Sequence, residues 1–169
     1  MRRLLRLVRA FWTSSLALDL EYRMDFLVGA ATAAMSFGAG LLVLNVMFAH
    51  TEALGGWSFY QVLVLYGVYL FLEEFTSGFL APNIGALPEL IRRGDLDFIL
   101  LKPIDSQLQV SIRHFRITGI PAYLLAAGVI GTGMSALGTL TAGNVALLVG
   151  FLACAMTTVY AIWSLLHTL

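Results

Sequence analysis

The stretch FLVGAATAAMSFGAGLLVLNVMFA, from Phe26 to Ala49, contains no lysine, arginine, aspartate or glutamate. A helix needs about 20 predominantly apolar residues to cross a hydrocarbon core about 30 Å thick, and this stretch is long enough. Three further apolar stretches of about this length follow at 59–81, 117–137 and 144–166. The sequence therefore predicts an all-α fold, a polytopic transmembrane helical bundle of about four spans.

The overall composition supports the same class. Hydrophobic residues make up 59% of the chain and charged residues only 12%, whereas about 25% of a typical soluble domain is charged. The mean hydropathy is +0.86. We treat 1–169 as one transmembrane domain, and the formal net charge of zero gives no reason to expect a nucleic-acid partner. The single cysteine, Cys154, lacks the companions that a disulfide or a structural metal site needs.

The basic residues predict the orientation. All ten lysines and arginines precede the first span or lie in the loop 82–116. Because lysine and arginine resist translocation, the N-terminus and this loop should be cytoplasmic. The segment 1–25 reads as a cytoplasmic amphipathic interfacial helix, since its apolar residues recur at helical spacing opposite the arginines.

Small residues recur at four-residue steps in three of the predicted spans. Such ridges let helix backbones approach closely inside lipid. They are compatible with packing inside one bundle and with a dimer seam. The ridges are Ala30, Ala34 and Gly38; Ala127, Gly131 and Ser135; and Ala142, Ala146, Gly150, Cys154 and Thr158.

Glu73 and Glu74 are the only acidic residues inside a predicted span. Carboxylates inside a membrane are costly, so they indicate a functional site by default. We expect both to face the bundle interior or a wet vestibule, with either a structural or gating role or a contact with substrate along a translocation path. The pair is also compatible with a different class of protein, namely a non-transporting membrane scaffold or a small intramembrane enzyme centred on Glu73 and Glu74.

The chain has no ATP-binding motif of its own. A phosphate-binding loop ends in Gly-Lys-Ser/Thr, but the only lysine, Lys102, is followed by Pro103. No cofactor is therefore expected in this chain. Any ATP-driven work would require another polypeptide.

The loop after the second span has internal order. Pro88 suits a first helical position, Glu89 favours the N-terminal end of the helix, and Gly94 suits the C-cap. Asp95 then begins a second short segment whose apolar face ends before Pro103. Because a loop that only connects two spans needs no shaped segments, we interpret 82–105 as a docking element for a soluble partner.

At this loop the sequence resembles the permease subunits of bacterial type-2 ABC transporters. The stretch that carries the resemblance is IRRGDLDFILLKPID, from Ile91 to Asp105, with the core Gly-x-Leu-Asp-x-x-Leu-x-Lys/Arg-Pro. The resemblance implies that the loop behaves like a coupling helix, docking on a separate ATPase subunit that holds ATP and magnesium. The residues carried over are Leu87, Pro88, Glu89, Leu90, Ile91, Arg92, Arg93, Gly94, Asp95, Leu96, Asp97, Lys102 and Pro103.

The resemblance also implies an assembly and a location. Such permeases look like six-span units that dimerise in the bacterial inner membrane, and most of them export. This chain stops three residues after its fourth predicted span, at 169, so we expect it to be the N-terminal portion of a protein with about six spans. A four-span relative that completes itself by oligomerising is the other interpretation.

Overall fold

The computed structural model describes residues 23–94, 101, 111 and 119–168, and these form helices and one short hairpin. The first long helix, α1, is Arg23–Phe48. The strands β1, Ala53–Leu54, and β2, Trp57–Ser58, then pair in antiparallel fashion. Gly55 and Gly56 join them with φ angles of 59° and 86°. Two consecutive left-handed residues form the tight turn that a two-residue hairpin loop requires, and glycine adopts them at least cost.

The hairpin leads into a long, nearly continuous helical segment. It consists of α2 (Phe59–Glu74), a π-helical segment (Phe75–Leu80), α3 (Ala81–Asn83) and α4 (Leu87–Arg93). The whole stretch Phe59–Arg93 contains 35 residues. Its part 59–83 alone extends about 37 Å at 1.5 Å per residue, which exceeds a hydrocarbon core of about 30 Å, and α4 follows after a turn. Its α4 end therefore lies outside the hydrocarbon when the Phe59 end is at the opposite surface.

Two further helices complete the described part. The helix α5 is Ile120–Ala136, with Gly119 as N-cap and Pro121 in its first turn, where a missing donor is tolerated. A turn at Gly138, with φ of 66°, then leads to α6, Ala142–Thr168. The first turn of α6 is anchored to this turn, because Nδ2 of Asn144 donates to the carbonyl of Thr139 at 2.8 Å.

The predicted fold class, an all-α polytopic membrane bundle, is confirmed. Three described helical segments are long and apolar enough to cross a membrane, namely Leu27–Phe48, Phe59–Arg93 and Ala142–His167. The fourth apolar helix, Ile120–Ala136, is shorter. Residues 112–118, where the predicted third span begins, lie outside the described residues. The number of four spans therefore stays a prediction.

The closest helix pair is α2 with α5. A Cβ at Gly67 would meet the side chain of Ile130 and would lie 3.1 Å from its backbone nitrogen and 3.2 Å from the carbonyl of Ala126. A Cβ at Gly133 would lie 3.1 Å from the carbonyl of Tyr60. Each helix therefore places a glycine against the backbone of the other, which permits close approach where lipid provides no hydrophobic driving force.

The other two long helices, α1 and α6, pack at different positions along the long helical segment. From α1, Leu44 packs in a cluster with Leu63 and Val129, and the Tyr66 hydroxyl donates to the carbonyl of Ser36 at 3.3 Å. The helix α6 packs mainly against the π-helical end of the long segment. Residues of that second cluster are Phe75, Leu80 and Ile84, with Phe79, Met156, Val159, Tyr160 and Trp163 around them.

The predicted ridges of small residues lie mostly on outward faces. Gly38 has open space around it, as does Gly131, and the five ridge positions of α6 are all exposed. Contacts among the described helices use other small residues, chiefly Gly67, Ala126 and Gly133. Packing among the described helices therefore does not explain the α6 ridge.

Candidate functional site

The candidate docking helix, α4, has the caps that its sequence predicts. It begins after Ala86, with Pro88 in its first turn. It ends at Gly94, whose φ of 75° is left-handed and whose backbone N–H donates to the carbonyl of Ile91 at 3.1 Å. Glycine is the residue that adopts this C-terminal conformation without strain. Such a short helix therefore has defined ends independent of any partner.

The charged side chains of α4 pair with one another. Oε2 of Glu89 lies 2.6 Å from an Arg92 nitrogen, and Oε1 lies 2.5 Å from Nε of Arg93. The hydrogen bond from Arg92, followed by that from Arg93, lowers the pKa of the Glu89 carboxyl below its usual value. The glutamate therefore stays ionised, and the three residues form an exposed polar edge.

Beside that edge, α4 presents an apolar residue to its surroundings. Ile91 is 53% exposed, and α4 has no buried residue. Leu87 and Leu90 are half-buried at the root of the helix. The other predicted docking residues, Asp95, Leu96, Asp97, Lys102 and Pro103, lie outside the described residues.

The structure separates the two intramembrane glutamates. The side chain of Glu73 is exposed, whereas Glu74 is only 8% exposed. Successive residues of a helix point about 100° apart, so two neighbours cannot both face the same partner helix. The sequence predicts that each glutamate faces the bundle interior or a wet vestibule. Glu74 faces the interior, while Glu73 lies on an outward face of the described chain, and its contact with a wet vestibule stays a prediction.

Glu74 is the last residue of α2, and its carboxylate lies against two glycines. A Cβ added at Gly119 would come 3.0 Å from Cδ of Glu74, and one at Gly78 would come 3.3 Å from the same atom. In both cases it would also collide with Oε1. The sequence indicates Glu74 as a candidate functional residue, but it does not predict the contacts with Gly78 and Gly119. Gly119 is distant along the chain, and only the fold brings it close to Glu74.

A π-helical segment, Phe75–Leu80, follows Glu74 directly. The N–H of Ala81 bonds to the carbonyl of Thr76, five residues earlier, which is the π-helical spacing. The Thr76 hydroxyl donates to the carbonyl of Leu72 at 2.9 Å. Single π-helical turns inside α-helices are frequent at functional sites. No pattern in the sequence of this segment predicts it, and the sequence analysis missed it.

Below the π-helical segment, the chain is tightly held. Leu80 is fully buried, and its carbonyl accepts from the N–H groups of both Ile84 and Gly85, at 2.8 Å and 3.2 Å. Asn83 is 2% exposed and donates to the carbonyl of Phe79 at 2.7 Å. The turn at 84–86 that leads into α4, called here the root of α4, is therefore hydrogen-bonded to the end of the π-helical segment.

The α6 side of this junction carries polar contacts as well. The hydroxyls of Ser111 and Tyr160 lie 2.8 Å apart, so Ser111 contacts α6. The ring of Trp163 stacks on that of His167 at 4.8 Å. Tyr160 and Trp163 of α6 also pack against Phe75, Leu80 and Ile84, so these contacts lie beside the end of the π-helical segment.

A cavity of about 350 Å³ lies at the opposite end of the bundle, beside the hairpin. Its lining is mostly apolar and carries no ionisable group. The residues are Trp57, Gln61, Val64, Met134, Leu137, Thr139, Asn144 and Leu148. Among the residues that the structure describes, no group of His, Cys, Asp and Glu is arranged to hold a metal ion.

Comparison with known proteins identifies the chain. A family model described as ABC-2 family transporter protein matches residues 34–169. A search of curated proteins and a search of solved structures each find no match. The matched range includes most of α1 and every later element, with both glutamates and the docking helix. The long apolar helices and this match together show that the chain belongs to the ABC-2 transporter family, as a membrane-spanning permease.

Proposed function

We propose that this permease is driven by a separate ATPase subunit that docks on the loop 82–105. The single observation that carries the proposal is α4, a capped helix with an exposed Ile91 and a paired-charge edge, at the end of the long helical segment. An apolar centre with a polar rim is the general anatomy of a protein interface. ATP and magnesium would be bound by that partner.

The assembly and its setting are part of the proposal. We place the chain in a bacterial inner membrane with its N-terminus and α4 on the cytoplasmic side, since all basic residues fall there. A second permease subunit completes the translocation path, and the direction is export. Accumulation of substrate inside inverted vesicles on addition of ATP would agree with export, and loss of substrate from them would contradict it.

The two glutamates take different parts in this proposal. Glu73 lies on an outward face within an apolar helix, where a charged carboxylate in contact with acyl chains costs several kcal/mol. We therefore assign Glu73 to a wet translocation path between permease subunits. Glu74 is buried at the junction of helices, so we assign it to gating.

Co-purification tests the proposed partner. When the permease is expressed with ABC ATPases from the same genome, an affinity tag on the permease should retain its partner ATPase after solubilisation. The complex should hydrolyse ATP in liposomes. The control is an ATPase variant in which the lysine of the phosphate-binding loop is replaced. It should bind the permease but should not hydrolyse ATP. Failure of every intact, folded ATPase to co-purify would contradict the proposal.

Cysteine labelling tests orientation and the path. In a Cys154→Ser background, cysteines at Glu52 and Thr141 should react with an impermeant reagent added to intact cells, and one at Asp95 should not. A cysteine at Glu73 should react with a water-soluble reagent, since a wet path reaches it. External labelling of Asp95 would overturn the orientation, and an unreactive cysteine at Glu73 from both sides would overturn the path.

A further inference from the structure

The carboxylate of Glu74 occupies the point where three parts of the chain meet. It ends α2, it contacts Gly78 in the π-helical segment, and it contacts Gly119, the N-cap of α5. Replacement of either glycine by a larger residue would displace it. Through these contacts Glu74 connects the end of α2 directly to the start of α5.

A buried carboxylate is expensive, so its position there needs a compensating interaction. Burying an ionised group costs several kcal/mol unless it is paired or hydrogen-bonded. The N-terminal end of α5 carries the positive end of its helix dipole, which favours a carboxylate beside Gly119. The side chain therefore packs against the start of α5, where the helix dipole adds to its other polar interactions.

The π-helical segment makes the position of α4 sensitive to that link. A π-helical turn contains one residue more than the α-helical turn it replaces. Its conversion to α-helix would rotate everything beyond it by about 100°. The segment continues directly into α3 and, through the two bonds to the carbonyl of Leu80, into the root of α4. The direction of α4 thus depends on which form the segment takes.

We infer that Glu74 is a positioning residue that holds the π-helical form and so sets the docking helix relative to α5. The consequence for transport rests on the proposed function, since only a docked ATPase would move α4. The positioning itself does not depend on a partner. It can be measured on the permease alone.

The test is hydrogen exchange of the full chain in lipid nanodiscs, read at the amides within residues 80–86, of which Pro82 has none. Gly119→Ala should displace the carboxylate and raise exchange there by about tenfold, because local opening becomes easier. Exchange at 130–136, in the far half of α5, should not change. The matched control is Gly131→Ala on the same helix, since a Cβ at Gly131 has nothing within 4 Å.

The conservative variant provides the rescue. Glu74→Asp shortens the side chain by one methylene, which makes room for the methyl group of Gly119→Ala, and volume-conserving exchanges are tolerated best. The double variant should therefore return exchange at 80–86 to within about twofold of wild type. Gly78→Ala approaches the same carboxylate from the other side and should show the same rise and rescue. The Gly78→Ala variant can therefore be used for the same measurement if Gly119→Ala does not insert into the membrane.

Two results would overturn the inference. One is unchanged exchange at 80–86 in both glycine variants. The other is a uniform rise along the chain that Glu74→Asp does not reverse, which is the pattern of general destabilisation. The ATPase is absent from this experiment, so failure of co-purification would contradict the proposed function and leave these exchange results unaffected.

Discussion

Ile91→Asp should abolish binding of the ATPase while the permease still inserts and folds. Ile91 is 53% exposed on α4, so the carboxylate of an aspartate there can reach solvent in the free chain. In the complex it would bury an unpaired carboxylate at the centre of the contact. Loss of an interface hot spot costs about 2–4 kcal/mol, which corresponds to a roughly 30- to 1,000-fold weaker Kd. The measurement is ATPase retention in pull-down and its Kd by titration in nanodiscs.

The matched control for this variant is Leu140→Asp. Leu140 is also exposed, at 55%, but lies in the turn between α5 and α6 at the opposite end of the bundle. It should bind the ATPase with wild-type affinity. Leu90→Asp should also lose binding, although Leu90 is half-buried and its folding must be checked. An Ile91→Asp permease with unchanged Kd would show that α4 is a surface anchor and not the docking helix.

Gly67→Ala should lower the stability of the bundle by about 1–3 kcal/mol, because it overpacks the α2–α5 contact. The new methyl group would collide with Ile130 and lie 3.1 Å from its backbone nitrogen. Backbone atoms cannot turn away as a side chain can, so the two helices must separate. Gly133→Ala should behave alike, since its Cβ would lie 3.1 Å from the carbonyl of Tyr60. Thermal unfolding in nanodiscs measures both.

Gly128→Ala is the matched control for this pair. It lies on α5 between Ala126 and Ile130, but a Cβ there has nothing within 4 Å. Alanine is also the better helix former, so this variant should be as stable as wild type or slightly more so. Equal stabilities for Gly67→Ala and Gly128→Ala would mean that the close approach of α2 and α5 is not what holds the bundle.

The sequence by itself determined the properties that depend on composition and local pattern. Long apolar stretches without charge predict membrane helices, because the number of apolar residues needed to cross the hydrocarbon core can be counted in the sequence. The ends of α4 were equally readable, since Pro88 and Gly94 act through their own backbone geometry. The family resemblance also rested on a contiguous stretch, Ile91 to Asp105, and the family match confirms it.

Only the tertiary structure decided which faces of the helices meet. Glu73 and Glu74 are neighbours in the sequence, but Glu74 is buried against Gly78 and Gly119 whereas Glu73 is exposed. The ridges of small residues had the right spacing for contact, but the contacts formed at Gly67 and Gly133 instead. The contact of Glu74 with Gly119 likewise joins residues that are remote along the chain. Such choices follow from the relative energies of whole helix packings, and no local pattern contains them.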